Sequence, residues 1–387
     1  MISLSKVILP GQTIGIIGGG QLGKMMALSA KAMGFIVVVL DPTEGCPCGQ
    51  VADEQIIGSY DDLDKIKQLS EISDVITYEF ENIDANALDW LNKNAYVPQG
   101  TELLRITQDR IEEKRNIREA GVKVTPYAVV ARTEDVKTGV EKLGMPAVLK
   151  TARGGYDGKG QMVIRSMDDI ALAETLVSKG ECILEKWIPF EKEISVIITR
   201  STAGETAVFP TAENIHKDNI LHQTIVPARI SKQSEEKAIE AAKQIAAALD
   251  LTGTLAVEMF LAEDDELYIN ELAPRPHNSG HYTIEACETS QFEQHIRAVC
   301  GWPLGSTDLL KPAVMVNILG EHQQQLIDRI KDLKDWKIHL YGKKEAKNKR
   351  KMGHVTLLRE TTEEALKETE QSCIWEGAEE MIGGLTK

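Results

Sequence analysis

The chain has no apolar run long enough to cross a bilayer. Its longest, such as residues 35–40, fall far short of the roughly 20 residues that a membrane helix needs. Residues 1–10 contain no extended apolar core and no cleavage site, so a secretory leader is not expected. Cysteine is sparse and scattered, six in 387 residues, and Cys46-Pro47-Cys48 matches neither a CxxC redox pair nor a zinc knuckle. The expectation is reduced thiols in a cytoplasmic protein with no membrane partner. Positive charge is also short. At a net −15 the chain is not expected to bind nucleic acid, although a local basic pocket could hold a small anion. No P-loop of the form G-x-x-x-x-G-K-[ST] occurs. The rest is ordinary for a globular protein: 27% charged and 42% hydrophobic residues, with a length that fits two to three domains.

Against this background one pair of residues stands out. Glu258 and Glu271 flank an acidic turn, Glu263-Asp264-Asp265-Glu266, with apolar residues on either side, which is a hairpin pattern. A two-residue loop at Asp264-Asp265 sets Glu258 opposite Glu271 and Phe260 opposite Ile269 on the same face, with Asn270 turned to the other or reaching back where the strand end twists. Like charges directly opposed destabilise a sheet. A hard divalent cation shared by the two carboxylates supplies a reason for them.

The N-terminal third alternates strand and helix. A short buried strand, residues 13–17, runs into Gly18-Gly19-Gly20-Gln21-Leu22-Gly23, then a helix over 24–33 stopped by Gly34, then a strand over 36–40 ending at Asp41. The glycines satisfy G-x-G-x-x-G, and Asp41 falls roughly where a ribose-binding acid is expected. Read alone, this indicates an NAD-dependent oxidoreductase. Further on, a helix from Asp61, a strand over 74–78 and a helix over 84–94 follow. Glu79-Phe80-Glu81-Asn82 trails that strand at the carboxyl edge of the sheet, where open sheets bind ligands.

The middle of the chain carries more chemistry. A charged helix over 110–120 precedes a strand over 146–150 that ends in Lys150. Next comes Gly154-Gly155-Tyr156-Asp157-Gly158-Lys159-Gly160-Gln161, whose backbone N–H groups and cations can close over a triphosphate. A strand over 182–188 holds Glu185 and Trp187, and Glu193 follows. The C-terminal region, from about Trp302, reads as a small β-rich appendage with strands at 313–319 and 355–358. Between them, residues 343–351 gather six cations and one anion.

In this order the features resemble the ATP-grasp superfamily, and within it the 5-(carboxyamino)imidazole ribonucleotide synthases of purine biosynthesis. The resemblance covers nearly the whole chain. It rests on the two glycine motifs and on Asn270-Glu271-Leu272-Ala273-Pro274-Arg275-Pro276-His277-Asn278-Ser279-Gly280-His281. It implies an α/β and α+β architecture: a Rossmann-like domain over 1–105, an ATP-grasp domain with a glycine lid over 106–301, and a small C-terminal domain over 302–387. The implied activity is a ligase, a homodimer, that uses ATP and bicarbonate to carboxylate the exocyclic amine of 5-aminoimidazole ribonucleotide through carboxyphosphate.

By the same resemblance, Arg110 and Lys150 contact the ATP phosphates, and Gly155, Tyr156, Asp157, Gly158, Lys159, Gly160 and Gln161 form the lid. Glu185 and the Lys186-Trp187-Ile188 backbone hold adenine, Glu193 takes the ribose hydroxyls, and His216 lines the site. Glu258 and Glu271 hold magnesium, or manganese in its place, with Asn270 beside them. The acceptor nucleotide meets Gln21, Leu22, Glu79, Tyr156, Asp157, His277 and Asn278, and its 5′-phosphate meets Lys343, Arg350 and Lys351. Asp157, Lys159 and Arg275 are the residues expected at the chemistry, Asp157 by assisting proton removal from the amine. Lys159 stands where some relatives carry arginine, which keeps charge but loses fork geometry. The rival closest to this reading is an ATP-grasp ligase that uses formate or an amino acid.

Overall fold

β1 (Thr13–Ile17) and β2 (Ile36–Asp41) are short, almost wholly buried apolar runs, as expected of parallel strands covered on both faces. With β3 (Glu54–Ile57) and β4 (Val75–Tyr78) they form a parallel sheet in the order β3-β2-β1-β4. Chain direction through the sheet reverses between β1 and β4. The crevice at their carboxyl ends is therefore the switch point at which open sheets bind ligands. The glycine motif follows β1, and Glu79 follows β4. This is a computed structural model, and it describes residues 6–155 and 158–375.

Helix boundaries follow their caps. Asp62, Asp84 and Asp109 each accept backbone N–H bonds at the starts of helices Leu63–Ile72, Ala85–Asn94 and Arg110–Glu119. The first helix starts three residues earlier than its sequence pattern suggests, at Gln21. Its N-cap, Gly20, has no side chain, so the cap is supplied from a distance. The Glu79 carboxylate accepts from the N–H groups of Gly20 and Gly23.

A second, antiparallel sheet carries the glycine lid. Its strands β5 (Tyr127–Val130), β6 (Ala147–Thr151), β7 (Gln161–Ile164) and β8 (Cys182–Lys186) lie in the order β5-β8-β6-β7. Lys150 pairs with Gln161, so the lid is the hairpin loop between β6 and β7. Tyr156 and Asp157 lie outside the described residues.

The third sheet has nine strands. β9 (Phe190–Arg200) pairs with β10 (Thr206–Val208), β11 (Ala212–Lys217) and β13 (Gly253–Ala262); β12 (Ile220–Val226) follows β11, and β14 (Leu267–Ala273) forms the edge beyond β13. The C-terminal strands β15 (Ala313–Leu319), β16 (Lys337–Leu340) and β17 (Lys351–Leu358) continue this sheet, because β15 pairs with β12. The β-rich C-terminal region thus packs on the central domain by continuing its sheet. Helix Lys232–Ala248, which the sequence reading did not single out, buries Ala238, Ala242, Ile245 and Ala246 against the β9–β13 face.

The N-terminal core is shared with the rest of the molecule. Met26, Ala27 and Ala30 of the first helix pack in one cluster with Phe292, Ile296 and Val299 of helix Gln291–Val299 and with Tyr341. The Trp302 indole N–H donates to the Ile8 carbonyl at 2.7 Å.

Candidate active site

The three sheets converge on a cleft of about 540 Å³. Its acidic end is built by register. Glu258 of β13 lies opposite Glu271 of β14, as the hairpin pattern predicts. The rest of that hairpin differs from the expected register. A bulge follows Glu258, after which Met259 pairs with Ile269 and Phe260 with Tyr268. The loop is also longer, with the Ala262 N–H donating to the Glu266 carbonyl and Asp264 and Asp265 both at positive φ. As a result Ile269 is buried with Met259 on the far face, not beside Phe260. Asn270 and Glu271, successive residues at the bulge, both line the cleft, so of the two placements expected for Asn270 it takes the one that reaches back. Re-aiming a side chain in this way is a common use of a bulge. A second bulge lies at His216 of β11. There His216 Nδ1 sits 2.7 Å from the Glu193 carboxylate. Burial pulls the His216 ring down, but Glu193 more than offsets it and holds the ring above its ordinary pKa.

The cationic side faces this. Arg110 Nη1 lies 2.9 Å from Glu271 Oε2. Lys150 Nζ donates to Glu185 Oε2 at 2.8 Å, and Lys114 Nζ approaches the other oxygen at 3.1 Å. Burial raises the Glu185 carboxyl, yet the two ammonium groups outweigh it and hold it down at about 2. Burial and the charge on Glu271 push Glu258 up to about 7. His277 Nε2 is 3.3 Å from Glu258. Its Nδ1 accepts the Ser279 N–H at 3.3 Å.

Most residues singled out in the sequence meet here. Gln21, Leu22, Glu79, Arg110, Lys150, Gly155, Gly158, Lys159, Gln161, Glu193, His216, Glu258, Asn270, Glu271, Arg275, His277, Asn278 and Lys351 all line the cleft. Several do not. Glu185 lies beneath it in the lysine ion pairs, and Gly160 packs on Thr151. Lys186, Trp187 and Ile188 continue from β8 outside the lining. Lys343 and Arg350 turn to an adjoining cavity of about 300 Å³, which Thr43, Gly45 and Pro47 close from the N-terminal sheet. Asn278 reaches the cleft wall, but its amide is engaged with Asn317 in a reciprocal pair at 3.0 and 2.7 Å.

The dinucleotide reading of the first glycine motif does not survive this geometry. Asp41 accepts from the Gly19 and Thr43 N–H groups and the Tyr60 hydroxyl, and is buried away from the cleft. Glu79 already occupies the helix N-terminus where a pyrophosphate belongs. The glycines serve that contact: a Cβ on Gly20 would lie 2.6 Å from Glu79 Oε1, and one on Gly18 would lie 2.4 Å from Glu79 Cγ.

Three family models match the chain: a ribonucleotide synthetase preATP-grasp domain over residues 11–108, an ATP-grasp domain over 115–292, and a phosphoribosylaminoimidazole carboxylase C-terminal domain over 313–368. The N5-carboxyaminoimidazole ribonucleotide synthase of Bacillus subtilis is 57% identical over 363 residues, which is 94% of this chain and 96% of that one. The chain belongs to this family. The Staphylococcus aureus (strain COL) synthase is 49% identical over 90% of this chain and 93% of its own. A solved N5-carboxyaminoimidazole ribonucleotide synthetase with ADP superposes with a TM-score of 0.94 at 59% identity, covering 96% of this chain and 99% of that one. The Aspergillus clavatus synthase in complex with ADP and 5-aminoimidazole ribonucleotide does so with a TM-score of 0.89 at 32% identity, covering 94% and 98%. As a member of this synthase family the chain is an ATP-grasp ligase with the mixed α/β architecture expected of it.

The sequence reading missed Glu113, a nearly buried residue of the cleft lining, and Lys114, which is fully buried behind it. A signal was present. Arg110, Glu113, Lys114 and Ile117 recur at the i, i+3, i+4, i+7 spacing of one helix face, and the last three are the helix's buried residues. Charge hid the pattern, since an amphipathic face is ordinarily sought in apolar residues. Glu81, which pairs with Arg275 at 2.8 Å, was quoted with Glu79 but given no role.

Proposed function

We propose that this chain carboxylates the exocyclic amine of 5-aminoimidazole ribonucleotide, consuming ATP and bicarbonate and releasing ADP and phosphate. The observation that carries the reading is the opposed pair Glu258 and Glu271 in one cleft with the cations Arg110 and Lys150. Bicarbonate is a poor electrophile. Attack of its oxygen on the γ-phosphorus of ATP makes carboxyphosphate and frees ADP, and the amine then takes the carboxyl group as phosphate leaves. Phosphoryl transfer needs positioning and charge neutralisation more than covalent help.

The acidic end fits magnesium. Two hard carboxylate oxygens face each other there, and the buried Asn270 Oδ1 has no hydrogen-bond partner in the structure. Glu258, Glu271 and Asn270 are the residues that would hold the ion. Bound there, magnesium supplies Lewis-acid neutralisation of the phosphate charge. Arg110, beside Glu271, and Lys150 hold the phosphates, and Glu193 takes the ribose hydroxyls. The lid with Lys159 closes over the triphosphate and excludes water from carboxyphosphate. Arg275, steadied by Glu81, faces the reacting end, and Glu79 and His277 orient the acceptor. Asp157 is assigned to amine deprotonation, and a homodimer is the proposed assembly. No helix among the described residues is long and apolar enough to cross a membrane, and we place the reaction in the cytoplasm.

The test is ADP release with bicarbonate, formate or amino acids, each with and without 5-aminoimidazole ribonucleotide. The expected result is stimulation by the acceptor with bicarbonate alone and an acid-labile carbamate product. Equal stimulation with formate and a stable formyl product overturns the reading in favour of a formate-using ligase.

A further inference from the structure

β14 is an edge strand, and an edge strand leaves backbone groups unpaired. At the bulge those groups are met by two adjacent side chains of helix Arg110–Glu119. Lys114 Nζ donates to the Asn270 carbonyl at 3.2 Å, and the Leu272 N–H donates to Glu113 Oε1 at 2.8 Å. These two backbone groups bracket Glu271. Arg110, one turn earlier on the same helix face, holds the Glu271 carboxylate itself. Lys114 reaches further: its ammonium also pairs with Glu185, which in turn holds Lys150. Lys114 is fully buried, and Glu113 nearly so. A buried ion pair is weak evidence for stability, since apolar replacements are often as stable or more so. A role in placing the bulge accounts for two charges in that position.

We infer that Glu113 and Lys114 are positioning residues that clamp the bulged segment of β14, so that Asn270 and Glu271 both face the cleft. Lys114 also fixes the distance between that segment and Lys150. The clamp stands in for the missing neighbouring strand, with a side-chain donor and acceptor where a ladder would supply backbone ones. This inference rests on the reading of Glu258 and Glu271 as the metal carboxylates. Outer partners that orient metal ligands typically matter for affinity nearly as much as the ligands do.

The test titrates Mn²⁺ into the full chain saturated with ADP and follows bound metal by electron paramagnetic resonance. The KM for 5-aminoimidazole ribonucleotide is measured in parallel. Lys114→Met is expected to weaken Mn²⁺ binding by about 10- to 100-fold while the acceptor KM stays essentially unchanged. A general loss of structure would move both. Should that variant not accumulate as folded protein, Glu113→Ala reads the same clamp by removing only the acceptor at Leu272. Glu271→Gln separates the two layers of the argument. If it binds Mn²⁺ as the parent does, the metal reading itself fails. If it loses Mn²⁺ while Lys114→Met or Glu113→Ala, folded, keeps parental affinity, the metal reading stands and the clamp is overturned.

Discussion

Glu258 and Glu271 face each other, yet their charges are held differently. Burial and its neighbour's charge push Glu258 up to about 7, whereas at Glu271 burial is outweighed by Arg110, which keeps the carboxyl below its ordinary value. The two glutamine variants therefore should not behave alike. Each is expected to cut ADP-forming turnover by orders of magnitude. Glu258→Gln relieves a like-charge contact and should melt at or above the parent temperature. Glu271→Gln leaves Arg110 a neutral acceptor in place of a carboxylate and should cost about 1 kcal/mol. Steady-state ADP release and thermal melts decide, and near-normal turnover in both variants sinks the metal pair. Glu185 gives a pH prediction. Its folded pKa of about 2 lies below the ordinary 4.5, so its stabilisation is present above the unfolded value and lost as pH falls through the window between the two. The whole effect is on the order of 3 kcal/mol. Urea unfolding between pH 5 and 3 should show the parent losing about 2 kcal/mol more stability than Glu185→Gln, the rest of the effect lying below pH 3; equal slopes would refute it.

The elements were legible where their causes are local. The apolar runs of β1, β2 and β15 and the helices Ala85–Asn94 and Arg110–Glu119 are written in adjacent residues, and the structure places those elements within a residue of the expected bounds; the helix expected from Asp61 starts at Leu63, capped by Asp62. The register of the glutamate hairpin was legible at Glu258 and Glu271 but not beyond. A bulge adds one residue without changing the apolar pattern enough to be seen, and it reverses the face of every residue after it. The glycine motif was legible as a strand-to-helix turn, but its ligand was not, because the anion at that helix start is Glu79, 59 positions away from Gly20. Gly20→Ala tests this. The added methyl displaces Glu79, so the helix loses its cap at a cost of about 0.5–2 kcal/mol. The KM for 5-aminoimidazole ribonucleotide should rise with little change in that for ATP. An unchanged acceptor KM in a protein with the expected loss of stability would separate the cap from substrate binding.

At the scale of the whole molecule, one sheet links the hairpin that carries the acids to β17, whose first residue is Lys351. The basic run of 343–351 is divided by this arrangement: Lys351 lines the main cleft, and Lys343 and Arg350 line the adjoining cavity under the N-terminal sheet. Lys343 Nζ donates to the Lys351 carbonyl at 2.7 Å, which ties the two groups together, and we propose the acceptor's 5′-phosphate as their shared ligand. A charge-assisted hydrogen bond contributes roughly 1.5–3 kcal/mol, about 10- to 100-fold or more in affinity. Lys351→Ala or Arg350→Ala should raise the acceptor KM by that order and leave the ATP KM nearly unchanged. With the acceptor lacking its phosphate, parent and variants should perform equally poorly. A loss of ATP affinity, or no loss at all, makes the run a solvated turn. By itself the sequence determined many of the strand and helix segments, the facing glutamates, the glycine loop between two strands and the family, because each is a pattern among near neighbours or a motif of contiguous residues. Only the tertiary structure decided which charges compensate which: Arg110 with Glu271 across 161 positions, Lys114 with the bulge, Glu79 with the glycine loop. Buried charge must find its partner within a few ångströms, and packing, not spacing along the chain, sets that distance.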